Sequence, residues 1–297
     1  MNTDHKKVVQ ASLIVALSGA LYGFLGFFGI KLLEENMDIS TMLFWRFMVA
    51  GLWVLPFTLK NNAIKTIVHA DKRLLFFTFI LGAMGYAGSS GFFFMASEHT
   101  GTGLAMVIFF SYPILIALTA WFTKKNSFNF ITLSLLITMA FGLMLLHDPR
   151  EGSVNILGIV FGIASAATYA FYIIGTKKYA SGNLNSNIQT MLVSFGAAMF
   201  YFIISLKSGT FSIPSTLKTW SYLLTLGILI TAIPIQLMIE GLKKISSMRA
   251  SIISVLEPLV TVFVGIILLE ESVSFIQIIG IIIILGSAII VQFQREL

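Results

Sequence analysis

Three ionisable residues, Arg46, Glu240 and Glu257, fall inside long apolar runs of this chain, where water is not on hand to solvate them. A charge at membrane depth costs about 2.5–3.5 kcal/mol even on the mildest scale, so each marks a place where the charge has a use. Glu257 lies eight residues past Arg249, roughly 12 Å along a helix at 1.5 Å per residue, and it directly precedes Pro258. Proline has no backbone N–H, so one helix carbonyl loses its donor there. That carbonyl and the carboxylate form a polar notch, which either pairs with a cation, carries a proton, or only holds a kink. Glu240 has Gln236 one turn deeper on the same face; it either snorkels to the interface or joins the coupling chemistry. Arg46 stands beside Trp45, where binding a carboxylate, gating and interfacial anchoring all compete. Pro113, Pro258 and also Pro234 are candidate hinges on the same missing-donor argument.

Tyrosine at depth is less ordinary than phenylalanine, because its hydroxyl needs a partner. Tyr22, Tyr86, Tyr112, Tyr169 and Tyr172 are all so placed. With Trp45, Phe109 and Gln236 they form the candidate lining of a cavity for an amphipathic metabolite, its apolar part stacked and its polar part bonded. Arg46, Glu240, Glu257, Pro113 and Pro258 form the candidate coupling or gating set. Taken one at a time, each tyrosine fits ordinary packing equally well.

Other chemistries lack their groups. There is no cysteine, no HExxH and no GxxxxGK[ST] phosphate loop, so thiolate chemistry, that zinc site and direct ATP drive have no basis. Neither a metal nor a cofactor is expected. Gly88-Ser89-Ser90-Gly91 matches the GxSG string of rhomboid-type serine proteases, but His5, His69, His99 and His147 fall in termini, loops or a span edge. A serine nucleophile needs a base within hydrogen-bond reach. The expectation is a protein that is not an enzyme.

The elements that must position these residues are set by hydropathy. Of 297 residues 57% are hydrophobic and 11% charged, which excludes a water-soluble fold. Apolar stretches near 9–32, 40–59, 74–97, 102–123, 129–147, 154–176, 187–206, 219–242, 248–269 and 274–293 each approach the 20 or so residues of one helical crossing. The fold expected is an all-α polytopic membrane protein of ten transmembrane helices. Alternate connections hold fourteen Lys and Arg against four, with Arg46 left inside a span. Basic residues stay on the cytoplasmic side, so both termini are expected there. The start of the chain resembles a secretory signal, but its apolar run is too long and an uncleaved first span is expected. The net charge of +6 belongs to topology and implies no nucleic-acid partner.

The chain reads as though written twice. A displacement of 145 residues carries Gly82 onto Gly227, Ala87 onto Ala232, Ala105 onto Ala250, Pro113 onto Pro258 and Ser127 onto Ser272. Slightly larger displacements carry Ser18 onto Ser165, Tyr22 onto Tyr169 and Thr41-Met42 onto Thr190-Met191. Five spans per half make the second half enter the membrane from the opposite side. Residues 1–148 and 149–297 are therefore expected as two inverted five-helix repeats forming one integral unit, with a substrate site near midplane between them. Gly19 with Gly23, and Gly158 with Gly162, give GxxxG pairs that serve close packing or a weak homodimer.

Leu256-Glu257-Pro258-Leu259, followed by Glu270-Glu271 and then Gln277, Gly280 and Gly286, resemble the EamA-type repeat of the drug/metabolite transporter superfamily. Ser111-Tyr112-Pro113 and Phe44-Trp45-Arg46 look like that family's first repeat. The resemblance implies a ten-helix secondary transporter in a bacterial plasma (inner) membrane, commonly an exporter of amino acids or related metabolites working by alternating access. It also implies a cavity lined by spans one, three, four, six, eight and nine. Partners so implied are a small-molecule substrate, protons if transport is coupled, and membrane lipids. Import or exchange of a nucleotide-type metabolite, cofactor or cation is the alternative, and a non-transporting scaffold the lesser one.

Overall fold

The computed structural model describes residues 3–60, 67, 69–123, 130–146, 155–180, 184–268 and 274–293. Among them the fold is carried by helices alone. These are α1 (Lys6–Glu34), α2 (Ile39–Leu59), α3 (Lys72–Thr100), α4 (Thr102–Phe122), α5 (Phe130–Leu146), α6 (Ile156–Lys178), α7 (Ser186–Lys207), α8 (Leu217–Lys244), α9 (Ser247–Leu268) and α10 (Phe275–Phe293). Eight are long and apolar enough to cross a membrane; α5 and the Phe275–Ser287 stretch of α10 are apolar but shorter. Ten crossings were expected, and length and composition alone support eight. Ser127, Ser272, the basic pair Lys124-Lys125 and the junction at 148–149 lie outside the described residues.

Helix starts follow local sequence. Asp71 accepts from the Arg73 N–H at 2.9 Å, Asn155 from Leu157 at 2.9 Å, Asn185 from Asn187 at 3.2 Å, Thr216 from Thr219 at 3.1 Å and Ser246 from Arg249 at 3.1 Å. Each cap satisfies a first-turn donor that the helix itself cannot. Gly101, at φ +79°, makes the one-residue corner between α3 and α4, a backbone region that a side chain would resist.

Several helices are interrupted, and most of the interruptions come in pairs. α3 contains a π-helical turn at Leu81–Tyr86 and α8 another at Ile228–Ala232. α4 pauses at Phe110-Ser111 and α9 at Ser254-Val255. Prolines account for three of the four. Pro234 withholds the donor that Ile230 would use, and the Ile233 N–H bonds back to the Ile228 carbonyl. Pro113 and Pro258 follow the other two pauses, where the chain tightens to three-residue bonds, Ser111 N–H to Ile108 and Glu257 N–H to Ser254, both 3.0 Å. α1 also pauses, near Gly23-Phe24.

α2 and α7 pair extensively along their lengths. α3 and α8 press onto that pair reciprocally. A Cβ on Gly82 of α3 would sit 2.1 Å from the Val193 carbonyl of α7, and one on Gly227 of α8 would sit 2.5 Å from Val49 of α2. Residue spacing is 145 between the glycines and 144 between the valines. Close backbone approach through glycine is how helices gain contact where lipid gives no hydrophobic drive.

At one end of the bundle the α1–α2 and α7–α8 connections are tied together. Asp38 accepts from the Ser40 N–H at 2.9 Å and the Ser40 hydroxyl at 2.5 Å. Thr41 donates to the Thr210 carbonyl at 2.8 Å, and Lys218 pairs with Glu35 at 2.6 Å. Partial burial works to raise the Asp38 carboxyl, but the hydrogen bonds from Ser40, Thr210 and Thr41 outweigh it and hold the group below the usual range.

Two outcomes follow for stability. Gly82→Val overfills a backbone contact and should cost about 1–3 kcal/mol in detergent unfolding, whereas Gly29→Ala, with nothing within 4 Å of the added carbon, should change little. Because the folded state lowers the Asp38 affinity for a proton, its contribution is present above the unfolded carboxylate pKa and lost as pH falls through the folded value. Asp38→Asn should flatten that acidic part of the melting profile.

Candidate functional site

Arg46 of α2 is 3% exposed. Its Nε donates to the Thr231 hydroxyl at 2.7 Å, and Thr231 donates in turn to the Leu226 carbonyl at 2.7 Å. Its Nη2 donates to the Tyr86 hydroxyl at 3.4 Å, and Tyr86 donates to Tyr22 at 2.9 Å. The guanidinium also stands 4.9 Å from the Phe47 ring centroid, a cation–π distance. Tyr86 closes the π turn of α3 and Thr231 lies within that of α8. One cation therefore links both π-helical turns. A guanidinium carries five donors, so these two bonds leave capacity for an anion.

Glu257 follows the pause in α9, one residue before Pro258. Its carboxyl group forms no hydrogen bond or ion pair with a described residue, and it shares the lining of one cavity with Arg46. Both open onto one cavity of about 100 Å³. Tyr22 and Tyr86 form its polar wall, and Phe93, Phe109 and Tyr169 its aromatic one. Gly26, Thr102, Met106 and Thr261 also line a larger vestibule of about 430 Å³. The vestibule runs to the end of the bundle marked by the Gly101 corner, Leu146 of α5 and Gln277 of α10.

Of the residues singled out in sequence, Arg46, Glu257, Tyr22, Tyr86, Phe109 and Tyr169 line the cavity. Tyr112 lies behind it, its ring 4.8 Å from that of Tyr169 and its hydroxyl donating to the Ser251 carbonyl at 3.2 Å. Tyr172 is buried against Tyr86, 5.0 Å between ring centroids. Pro258 borders the vestibule, and Pro113 is buried just past the pause in α4.

Three others are directed elsewhere. Trp45 donates to the Ser212 carbonyl at 3.0 Å and packs on Phe44 and Trp220, because successive helix residues point about 100° apart. Gln236 bonds Asn187 at 2.5 Å. Glu240 accepts from Ser186 and from Lys243, the latter at 3.1 Å. Ser89, Ser90, Phe93, Phe94, Met106 and Thr261 line the cavity without having been singled out for binding. The signal was available for half of them: Ser89, Ser90 and Phe93 stand three, four and seven residues past Tyr86, one face of a helix. No histidine borders Ser90 among the cavity-lining residues.

The EamA-like transporter family model matches this chain twice, over residues 10–147 and 156–293. The chain belongs to the EamA-like transporter family. It is accordingly a multi-pass membrane transporter in broad class. It is 23% identical to the uncharacterized inner membrane transporter YicL of Salmonella typhimurium, over 97% of this chain and 96% of that one. It is 29% identical to the uncharacterized transporter YcbK of Bacillus subtilis, over 63% of this chain and 62% of that protein's length. The Salmonella typhimurium protein RhtA, named a threonine/homoserine exporter, is 25% identical over 70% of this chain and 66% of its own. A solved crystal structure at 15% identity superposes with a TM-score of 0.80, over 95% of this chain and 97% of the other, a likeness of fold.

In this EamA-like chain the Arg46–Thr231 bond can be tested apart from transport. Thr231→Val removes a buried acceptor from a charged donor and should cost about 1–3 kcal/mol of stability; Thr231→Ser, which keeps the hydroxyl, should restore most of it in the same melting assay.

Proposed function

We propose that this protein is a secondary active transporter that exports amino acids or related small amphipathic zwitterions from the cytoplasm by alternating access. The observation that carries the reading is the pair Arg46 and Glu257, which open onto one cavity without bonding to each other. A substrate carboxylate suits the planar guanidinium fork, and its ammonium suits Glu257. Each group then gains an oppositely charged partner, while Phe93, Phe109 and Tyr169 offer surface to the side chain. The exporter name of RhtA supports the substrate class. The two tandem family matches support a pair of five-helix repeats at about 1–148 and 149–297. The basic-residue count supports cytoplasmic termini, with the vestibule then opening outward.

Proton antiport through Glu257 completes the reading. Substrate ammonium and proton compete for one carboxylate, so a proton entering from the vestibule displaces substrate to the outside. Counterflow in proteoliposomes, with labelled threonine, homoserine and aromatic amino acids, tests this. Arg46→Met and Glu257→Gln should each cut accumulation by about tenfold or more, the scale of one lost charge-assisted contact. Glu257→Gln should also abolish acceleration by an inward proton gradient. Full counterflow in both variants would refute the zwitterion site.

A further inference from the structure

The two ends of the bundle differ. The vestibule is open at the Gly101 end, and it is lined by residues whose counterparts in the other half can be named by displacement. The 147-residue shift that carries Tyr22 onto Tyr169 carries Ile30 onto Lys177. The 145-residue shift that carries Pro113 onto Pro258 carries Ser97 onto Leu242, Met106 onto Ser251 and Tyr112 onto Glu257. Ile30 and Ser97 both line the vestibule, and Met106 and Glu257 both line the cavity.

At the opposite end the matching pairs are bonded. Lys177 Nζ of α6 donates to the Leu242 carbonyl of α8 at 2.6 Å. Tyr112 of α4 donates to the Ser251 carbonyl of α9 at 3.2 Å. The apolar counterparts are packed: Ala117 and Ile252, which match the vestibule residues Val262 and Val107, are both 0% exposed. Val15 of α1 lies within 2.2 Å of where a Cβ on Gly241 of α8 would be, and Ser18 donates to the Pro234 carbonyl at 2.8 Å. That end is shut.

We infer that the Lys177–Leu242 and Tyr112–Ser251 hydrogen bonds are the closed gate of a second mouth, and that they break when the cavity opens at that end. The inference rests on the reading of the cavity as a transport site between two inverted repeats. Each bond joins a first- or second-half helix to a backbone carbonyl on α8 or α9, so a small separation ends it without leaving a charged acceptor behind. In the open state Ala117 and Ile252, the counterparts of the vestibule residues Val262 and Val107, line the mouth.

The absence of cysteine makes the test direct. Single Val262→Cys and Ala117→Cys chains, held in lipid nanodiscs so that both faces meet a membrane-impermeant maleimide, report one mouth each. With the gate intact, the Val262→Cys chain should label fast and the Ala117→Cys chain slowly. Adding Lys177→Met should raise the Ala117→Cys rate about five- to tenfold, the scale of one net hydrogen bond, and lower the Val262→Cys rate by the smaller fraction of chains that moves from one mouth to the other; Lys177→Arg should restore the slow rate. Tyr112→Phe, which removes only a hydroxyl, carries the same test if Lys177→Met does not fold. Unchanged rates, or both rates rising together as in a loosened fold, would overturn the gate. Labelling needs no substrate, so absent counterflow with an intact reciprocal shift would sink the substrate reading and spare the gate.

Discussion

A guanidinium buried at membrane depth must be answered by the protein, and the packing around Arg46 is organised by that demand. Lipid supplies no hydrogen bonds, so every polar group there needs a partner from another part of the chain. Arg46 finds one in Thr231 of α8 and another in Tyr86 of α3. Both partners sit on helix segments that have left ordinary α geometry. The α2–α7 pair is thereby braced on either side by a helix whose π turn touches the same cation or its neighbours.

Helix irregularity is placed beside the cavity and its cation. Pro113, Pro234 and Pro258 each remove one donor, and the chain responds with a pause or a π turn. The π turn of α3 has no proline; there Gly82 lies against Val193 and Gly85 against Tyr172, so close packing accompanies the irregularity. π turns recur at functional sites because they leave backbone groups and side-chain directions that a regular helix does not offer. Here they bring Tyr86 and Thr231 to one guanidinium. The pause in α9 precedes Glu257, the one acidic side chain on the cavity wall among the described residues.

The cavity joins opposite charges without letting them neutralise each other. A direct ion pair would fill the space and satisfy both groups. Arg46 is anchored on hydroxyls and Glu257 lines the same cavity without an ion pair to it, which is the arrangement that the zwitterion proposal draws on. Aromatic walls keep the local dielectric low, which strengthens those contacts and makes an empty, solvated site costly. The same two groups also distinguish the ends of the molecule, because Tyr112 takes the place of Glu257 in the other half and spends its hydroxyl on a backbone carbonyl instead.

Much of this was legible in sequence, because it depends on properties a residue carries along a line. Apolar run length, the prolines behind most of the helix pauses, and the cost of ionisable groups such as Arg46 and Glu257 at depth are all local. What only the tertiary structure decided is direction. Trp45 and Arg46 are adjacent in sequence, yet one packs against the α7–α8 connection and the other reaches the cavity. Gln236 and Glu240 share a helix face with the right chemistry, but that face meets α7 and its polar start. Met106 and Thr261 looked like neither anchor nor ligand and line the cavity. A helix turns its side chains through about 100° per residue, so which side faces the cavity depends on how each helix is rotated against its neighbours. That rotation is set by the glycine contacts and buried bonds between segments far apart in the chain.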